Sequence, residues 1–194
     1  MTSPATRLPY TGDAEADELL ASDPMALLIG FALDQQVTVQ KAFRGPLELR
    51  HRIGTLDPVT IAAMEPSELE AAFAARPALH RFPGAMARRV QELCAVVAER
   101  YDGDAGRVWR DARDGPDLEA RLLALPGIGE MKARSLVAVL GKRMSILLPR
   151  LDEVMPHHAT LGDVDSPEAL ASYQAQKRAA KQQRRAELDD HPKP

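Results

Sequence analysis

Aromatic residues are scarce in this chain: four Phe, three Tyr and one Trp make up 4% of its 194 residues. Barrels that hold single-stranded nucleic acid stack bases on aromatic side chains, so the scarcity argues against that class. Cysteine is nearly absent too. Cys94 stands alone, which excludes an intrachain disulfide and a cysteine-ligated metal or iron–sulfur site. It falls in the apolar run VQELCAVVAE and reads as a buried, inert thiol. An excess of positive charge is also missing. The formal net charge is -3 and the pI about 6.0, so no global basic coat is present, although one basic face remains open. The longest apolar run, around MALLIGFAL, is too short to span a bilayer. The opening MTSPATRLPYTGD has no basic region followed by an apolar one, so no signal peptide is expected and the cytoplasm is the expected compartment.

What the chain does have is apolar mass and clear punctuation. With 45% hydrophobic residues it can bury one sizeable core, or two small lobes sharing one. No period-2 strand pattern stands out, and MSILL (144–148) is the only ambiguous run, so the fold class is all-α. Asp23-Pro24 supplies an N-cap and a proline at the first helical position, followed by MALLIGFALDQQ. Asp57-Pro58 repeats that signal, and Ser67 with Glu70 forms an expected capping box. A long amphipathic helix is expected over 85–101 and shorter ones over 117–125 and 130–140. Ser166-Pro167-Glu168 opens a last helix. Its end, QKRAAKQQRRAELDDHPKP, reads as a solvated or frayed terminus, or else as a basic helix touching a nucleic-acid backbone. Trp109 and Phe82 read as core residues.

Residues 125–143 read LPGIGEMKARSLVAVLGKR. Gly127 and Gly129 flank Ile128, after a proline and ahead of a helix. Such a turn can aim several main-chain N–H groups one way, and the free donors and dipole of the helix beginning near Glu130 reinforce the concavity. A phosphate fits there without base readout. Lys132, Arg134, Lys142 and Arg143 add positive charge nearby. The plainer alternative is a helix C-terminus closed by Gly127, with no ligand.

LPGIG followed by a helix with Ala133 four positions after the second glycine resembles the helix–hairpin–helix of the HhH-GPD DNA glycosylases. That superfamily includes endonuclease III and the adenine–mismatch and 3-methyladenine glycosylases. The resemblance covers most of residues 8–185. DPMALLIGFALDQQV, HRFPGAMARRVQ, YDGD, LPGIGEMKAR, LGKR and DVDSPEALA look like a small actinobacterial-type HhH-GPD group. It implies a two-lobed helical fold: a barrel over 25–141, a second lobe from 1–24 plus 142–176, and a basic, frayed tail over 177–194. It also implies that Gln35 and Gln36, in LLIGFALDQQVTVQKA, fill the gap left by an extruded base. A glutamine's own alternative is a polar, solvent-exposed helix end.

Base excision needs a gap filler, a pocket and a carboxylate near the sugar; strand cutting adds a lysine nucleophile. The family's lysine stands two residues after the second glycine, where this chain has Met131. Lys132 is one residue on, about 100° around the helix, and reads as a weak catalytic candidate, a phosphate contact or plain surface charge. The family's aspartate would fall near Leu148, where no carboxylate stands. Asp152 reaches the site only if three or four residues are inserted; otherwise "LDE" is a cap or an exposed acidic pair. His157 and His158 are adjacent, without a spaced ligand set, and read as loop histidines.

The resemblance therefore implies a monomeric base excision repair protein on damaged double-stranded DNA. Its activity would be N-glycosidic cleavage without strand scission, and the alternative is an inactive module that binds damaged or bent DNA. Its expected contacts are Gln35, Gln36, Gly127, Ile128, Gly129, Lys132 and Arg134. No cofactor, iron–sulfur cluster or side-chain metal site is expected, although the hairpin backbone could hold a monovalent cation. A helical interaction domain with a purely structural hairpin is the third reading.

Overall fold

The computed structural model describes residues 3–190, with side chains as far as Gln183. Among these residues every regular element is helical: α1 (Ala14–Ser22), α2 (Pro24–Leu33), α3 (Val39–Ile53), α4 (Pro58–Ala63), α5 (Pro66–Ala74), α6 (Pro83–Arg100), α7 (Arg107–Arg110), α8 (Gly115–Leu123), α9 (Glu130–Lys142), α10 (Leu151–Val154), a 3-10 turn (Leu161–Asp163) and α11 (Pro167–Asp190). The all-α expectation holds, and residues 144–148 form no strand.

Capping chemistry sets many of these starts. The Asp23 carboxylate accepts from the Met25 and Ala26 N–H groups at 2.8 and 3.3 Å, and Pro24 occupies the first helical position. Asp57 does the same for α4 through Thr60. The capping box at Ser67 does not form. Pro66 starts α5 one residue earlier, Glu65 takes the N-cap position, and Ser67 lies inside the helix.

Helix α2 is the axle of the molecule. Every residue from Met25 to Leu33 is buried, because α1, α3 and α6 pack around it. Leu27, Leu28, Ile29, Phe31 and Leu33 each contribute about 1.5–3 kcal/mol of burial. An apolar sequence all round means an enveloped helix, so its C-terminal residues are held rigidly.

The principal helix packing falls into two sets. Helices α1 to α6 pack among themselves, and α7 to α11 with the 3-10 turn pack among themselves. The division lies between Arg100 and Arg107, whereas the sequence suggested a barrel over 25–141 and a second lobe of 1–24 plus 142–176. The apolar core nonetheless runs unbroken through both sets, from Leu8 to Leu170.

Specific links stitch the sets together. An N-terminal strap crosses over: the Ala5 N–H donates to the Arg143 carbonyl (2.7 Å) and the buried Tyr10 hydroxyl to the Leu161 carbonyl (2.8 Å). The amides of Gln40 and Gln174 exchange hydrogen bonds at 2.8 and 3.3 Å. Where a frayed tail was expected, α11 stays helical to Asp190; residues 191–194 lie outside the described residues. No helix among the described residues is long and apolar enough to cross a membrane.

Candidate functional site

The α8–α9 turn begins with a necessity. Gly127 has φ +84°, in the left-handed region, and a Cβ there would lie 2.7 Å from Arg89 Cδ. Only glycine fits. Gly129 differs on both counts. Its backbone is extended, at φ -93° and ψ 178°, and a Cβ would meet nothing within 4 Å.

Gly129 is the N-cap of α9, yet it offers no side chain to cap with. Ala133 N–H donates to the Gly129 carbonyl at 2.9 Å, as in any first turn. The N–H groups of Gly129, Glu130, Met131 and Lys132 have no protein acceptor among the described residues. The mouth of α9 therefore combines open space, free donors and the positive end of a 13-residue helix.

Behind this mouth the two helix sets meet. The Lys132 ammonium is half-buried and donates to the Gly127 carbonyl (3.0 Å) and, across the division, to the Ala32 carbonyl at the end of α2 (3.2 Å). Arg89 of α6 lies along Gly127 and donates from Nη1 to the Gln35 side-chain oxygen at 2.7 Å. His80 is buried, and its Nε2 donates to the Gln35 carbonyl (2.9 Å) while Nδ1 accepts from Phe82 N–H (3.0 Å). A carbonyl can only accept and an amide only donate, so the ring is the neutral Nε2–H tautomer. Burial holds its pKa below the usual histidine value, in keeping with that tautomer.

Asp34 completes the cluster. It follows α2 directly and is half-buried, and its carboxyl sits above the usual range because burial disfavours the charge, although Lys177 and Lys132 oppose that. No hydrogen-bond donor among the described residues serves this carboxylate. Burial also pushes the Lys132 ammonium down to about 8, Asp34 opposing and Arg89 adding to the effect. Lys41 also acts on His80. The result is a carboxylate that feels Lys177 and Lys132, with Arg89 acting on Lys132 and Lys41 on His80 in the same corner. The overall charge is negative, but this corner is cationic, which suits a polyanion.

The structure brings Gln35, Gln36, Gly127, Gly129 and Lys132 to this one corner. Gln36 is exposed and holds φ 55°, a left-handed conformation that strains a non-glycine residue by about 1 kcal/mol. Other expected residues lie differently. Ile128 is a core plug, 4% exposed, whose N–H already donates to the Leu125 carbonyl. Arg134 points outward near Glu119 (3.6 Å). Lys132 is not plain surface charge, and its ammonium is turned back into the hairpin rather than toward solvent phosphate. Its hydrogen bond to the Gly127 carbonyl also sets an ammonium beside an oxygen that a backbone-bound cation would use.

Asp152 is not at this corner. Its neighbours Leu151 and Met155 cover Gly141, which stands about 14 Å along α9 from Lys132. Asp152 is exposed, while adjacent Glu153 pairs with Arg150 at 2.8 Å. His157 and His158 are exposed in a loop, and Lys142 pairs with Asp163 (2.5 Å). Trp109 is core as expected, but Phe82 is 41% exposed, beside His80. Sequence reasoning missed Asp34, Arg89 and His80. Only Asp34 left a signal: it is the sole charged residue between Pro24 and Gln40, and it ends an apolar run.

No family model, no curated protein and no solved structure matches the chain.

Proposed function

We propose that the protein is a cytoplasmic, double-stranded-DNA-binding base excision protein of the HhH-GPD type, a monofunctional N-glycosylase. The observation that carries the proposal is Gly129. Neither its backbone nor its surroundings require glycine, yet the residue keeps an uncapped helix mouth open in a cationic corner. A Ser or Asp at that position would cap the helix and fill the concavity with the protein's own oxygen. Glycine leaves the N–H groups for a phosphate.

In this reading the α8–α9 hairpin clips one phosphate, and exposed Gln36 enters the duplex from its strained loop. Asp34, next to Gln36 and free of hydrogen-bond donors among the described residues, is the carboxylate that stabilises cationic charge on the sugar as the glycosidic bond breaks. Lys177 and Lys132 favour the charged form of that carboxylate against its burial, and Lys132 ties the hairpin to α2. Its ammonium donates to two carbonyls and Met131 occupies the strand-cutting position, so strand scission is not part of the proposal.

The same tethering of Lys132 favours a second reading, a non-catalytic module that recognises bent or damaged DNA. One experiment separates them. The protein is incubated with duplexes carrying uracil, alkylated purines or oxidised bases, and free base is measured. Release from any duplex, lost in Asp34→Asn, supports the glycosylase. Tight binding without release supports the module, and absence of salt-dependent duplex binding removes both.

A further inference from the structure

We propose that α11 is a basic arm that lies along the sugar–phosphate backbone of the duplex, beside the cleft; this rests on the DNA-binding reading above. Among the described residues the helix is anchored at its beginning. Leu170 is buried, α11 packs on the 3-10 turn, and Gln174 bonds Gln40. From Gln176 to Gln183 every side chain is exposed, and none makes a hydrogen bond or ion pair with another element among the described residues, apart from the field Lys177 exerts on Asp34. Lys177 also lies over the Tyr173 ring, 5.6 Å from its centroid.

The charge on this projecting segment is one-sided. At about 100° per residue, Lys177, Arg178 and Lys181 fall within about 100° of helix circumference. Gln174, which faces the body through Gln40, falls inside the same arc. Lys177, in that arc, is the residue whose charge reaches Asp34. The cationic side of α11 therefore faces the α2–α3 loop and continues past it. No acidic residue occurs between Ala169 and Ala186, and the sequence carries the basic spacing on with Arg184 and Arg185. From Lys177 to Arg185, ahead of the acidic Glu187, Asp189 and Asp190, the backbone extends about 12 Å, the span of about three to four phosphates on one strand.

Two physical points identify the partner as a polyanion. Lys177 and Lys181 stand four residues apart, and like charges at that spacing destabilise a free helix. Bound phosphates reverse that. The projecting segment also has only alanine as apolar content between Ala175 and Gln183, so it has no face to insert in a bilayer or to dock in an apolar groove.

The test is a titration of a fluorescent duplex of about 25 base pairs with wild-type protein and with the double variant Arg178→Gln/Lys181→Gln, over a salt series. Neither residue touches the cleft. The expected result is a salt dependence shallower by about two in the slope of log K against log salt, because each lost phosphate contact removes about 0.9. Affinity at about 100 mM salt falls about tenfold or more, while thermal unfolding by circular dichroism is unchanged. Wild-type binding with an identical slope in the variant overturns the arm and leaves the hairpin reading standing. No duplex binding by the wild type overturns both. A parallel titration with phosphatidylserine vesicles that responds to the double substitution, while duplex binding does not, also overturns the arm in favour of a lipid surface.

Discussion

The two ends of α9 follow opposite rules. At its C-terminus the chain is closed on itself. The Val139 carbonyl accepts from Arg143 and Met144, the Leu140 carbonyl from Ile146, and the Arg143 carbonyl from the strap residue Ala5. Lys142 is paired with Asp163, and Gly141 is roofed by Met155 and Leu151. At its N-terminus the donors are unmet, the cap residue has no side chain, and Met131 is 67% exposed. One end is closed by its own chain, and the other is left open, the end that takes a phosphate in the proposed reading. Substitutions at the closed end should be felt as unfolding, and those at the open end as lost binding.

The largest expected effect is at the closed end. A Cβ at Gly162 would lie 2.5 Å from the Ala138 carbonyl carbon, a backbone atom that cannot move aside. Gly162→Val should lose about 3 kcal/mol or more by chemical denaturation, with duplex affinity intact in whatever remains folded. Gly127→Ala comes next, at about 2 kcal/mol, because it adds left-handed strain to the contact with Arg89. Being part of the turn, it should lose stability and binding together, and a loss of only one would break the distinction between Gly127 and Gly129.

The third effect is read in pH. The folded Lys132 releases its proton near 8, against 10.5 for the free side chain, so between those values the unfolded chain holds more protons. Stability then rises with pH through that window, by up to about 3 kcal/mol. Asp34 works oppositely. Its raised pKa makes the folded state the better proton binder, so stability falls as pH rises through the carboxylate range. Lys132→Met should flatten the alkaline rise in a series of denaturation curves; an unchanged rise would mean that the ammonium is not held in the cleft.

The smallest stability effect carries the sharpest test. Gly129→Ser should change unfolding by less than about 0.5 kcal/mol, or stabilise slightly, since the hydroxyl can cap α9. It should nevertheless weaken duplex binding about fivefold or more. Equal affinity would show that the mouth holds no phosphate.

The helices were legible because their causes are local. Asp23-Pro24 and Asp57-Pro58 announce starts that the structure uses, and the hairpin glycines mark a turn whose second helix opens at Glu130. Ser67 misled because Pro66 outweighs a capping side chain one position later. The grouping of helices was illegible, since α9 belongs with α8 and α10 through contacts no short window contains. The site was half legible. Gln35, Gln36 and the hairpin carry local signatures, whereas Arg89 and His80 look like any surface arginine and loop histidine until the fold brings them to Gln35. Lys132 read as surface charge because its partner, the Ala32 carbonyl, lies 100 residues away.

The N-terminal strap has a consequence for the order in which the molecule assembles. Tyr10 is separated from its partner Leu161 by 151 positions, so its hydroxyl waits for its acceptor until that much more chain has been made. Helices α1 to α6 have all their mutual partners long before that and can condense while the chain is still growing. Closing a loop of such length is entropically slow. The strap is therefore a late latch, added to the links that Lys132 and Gln174 make between the two helix sets.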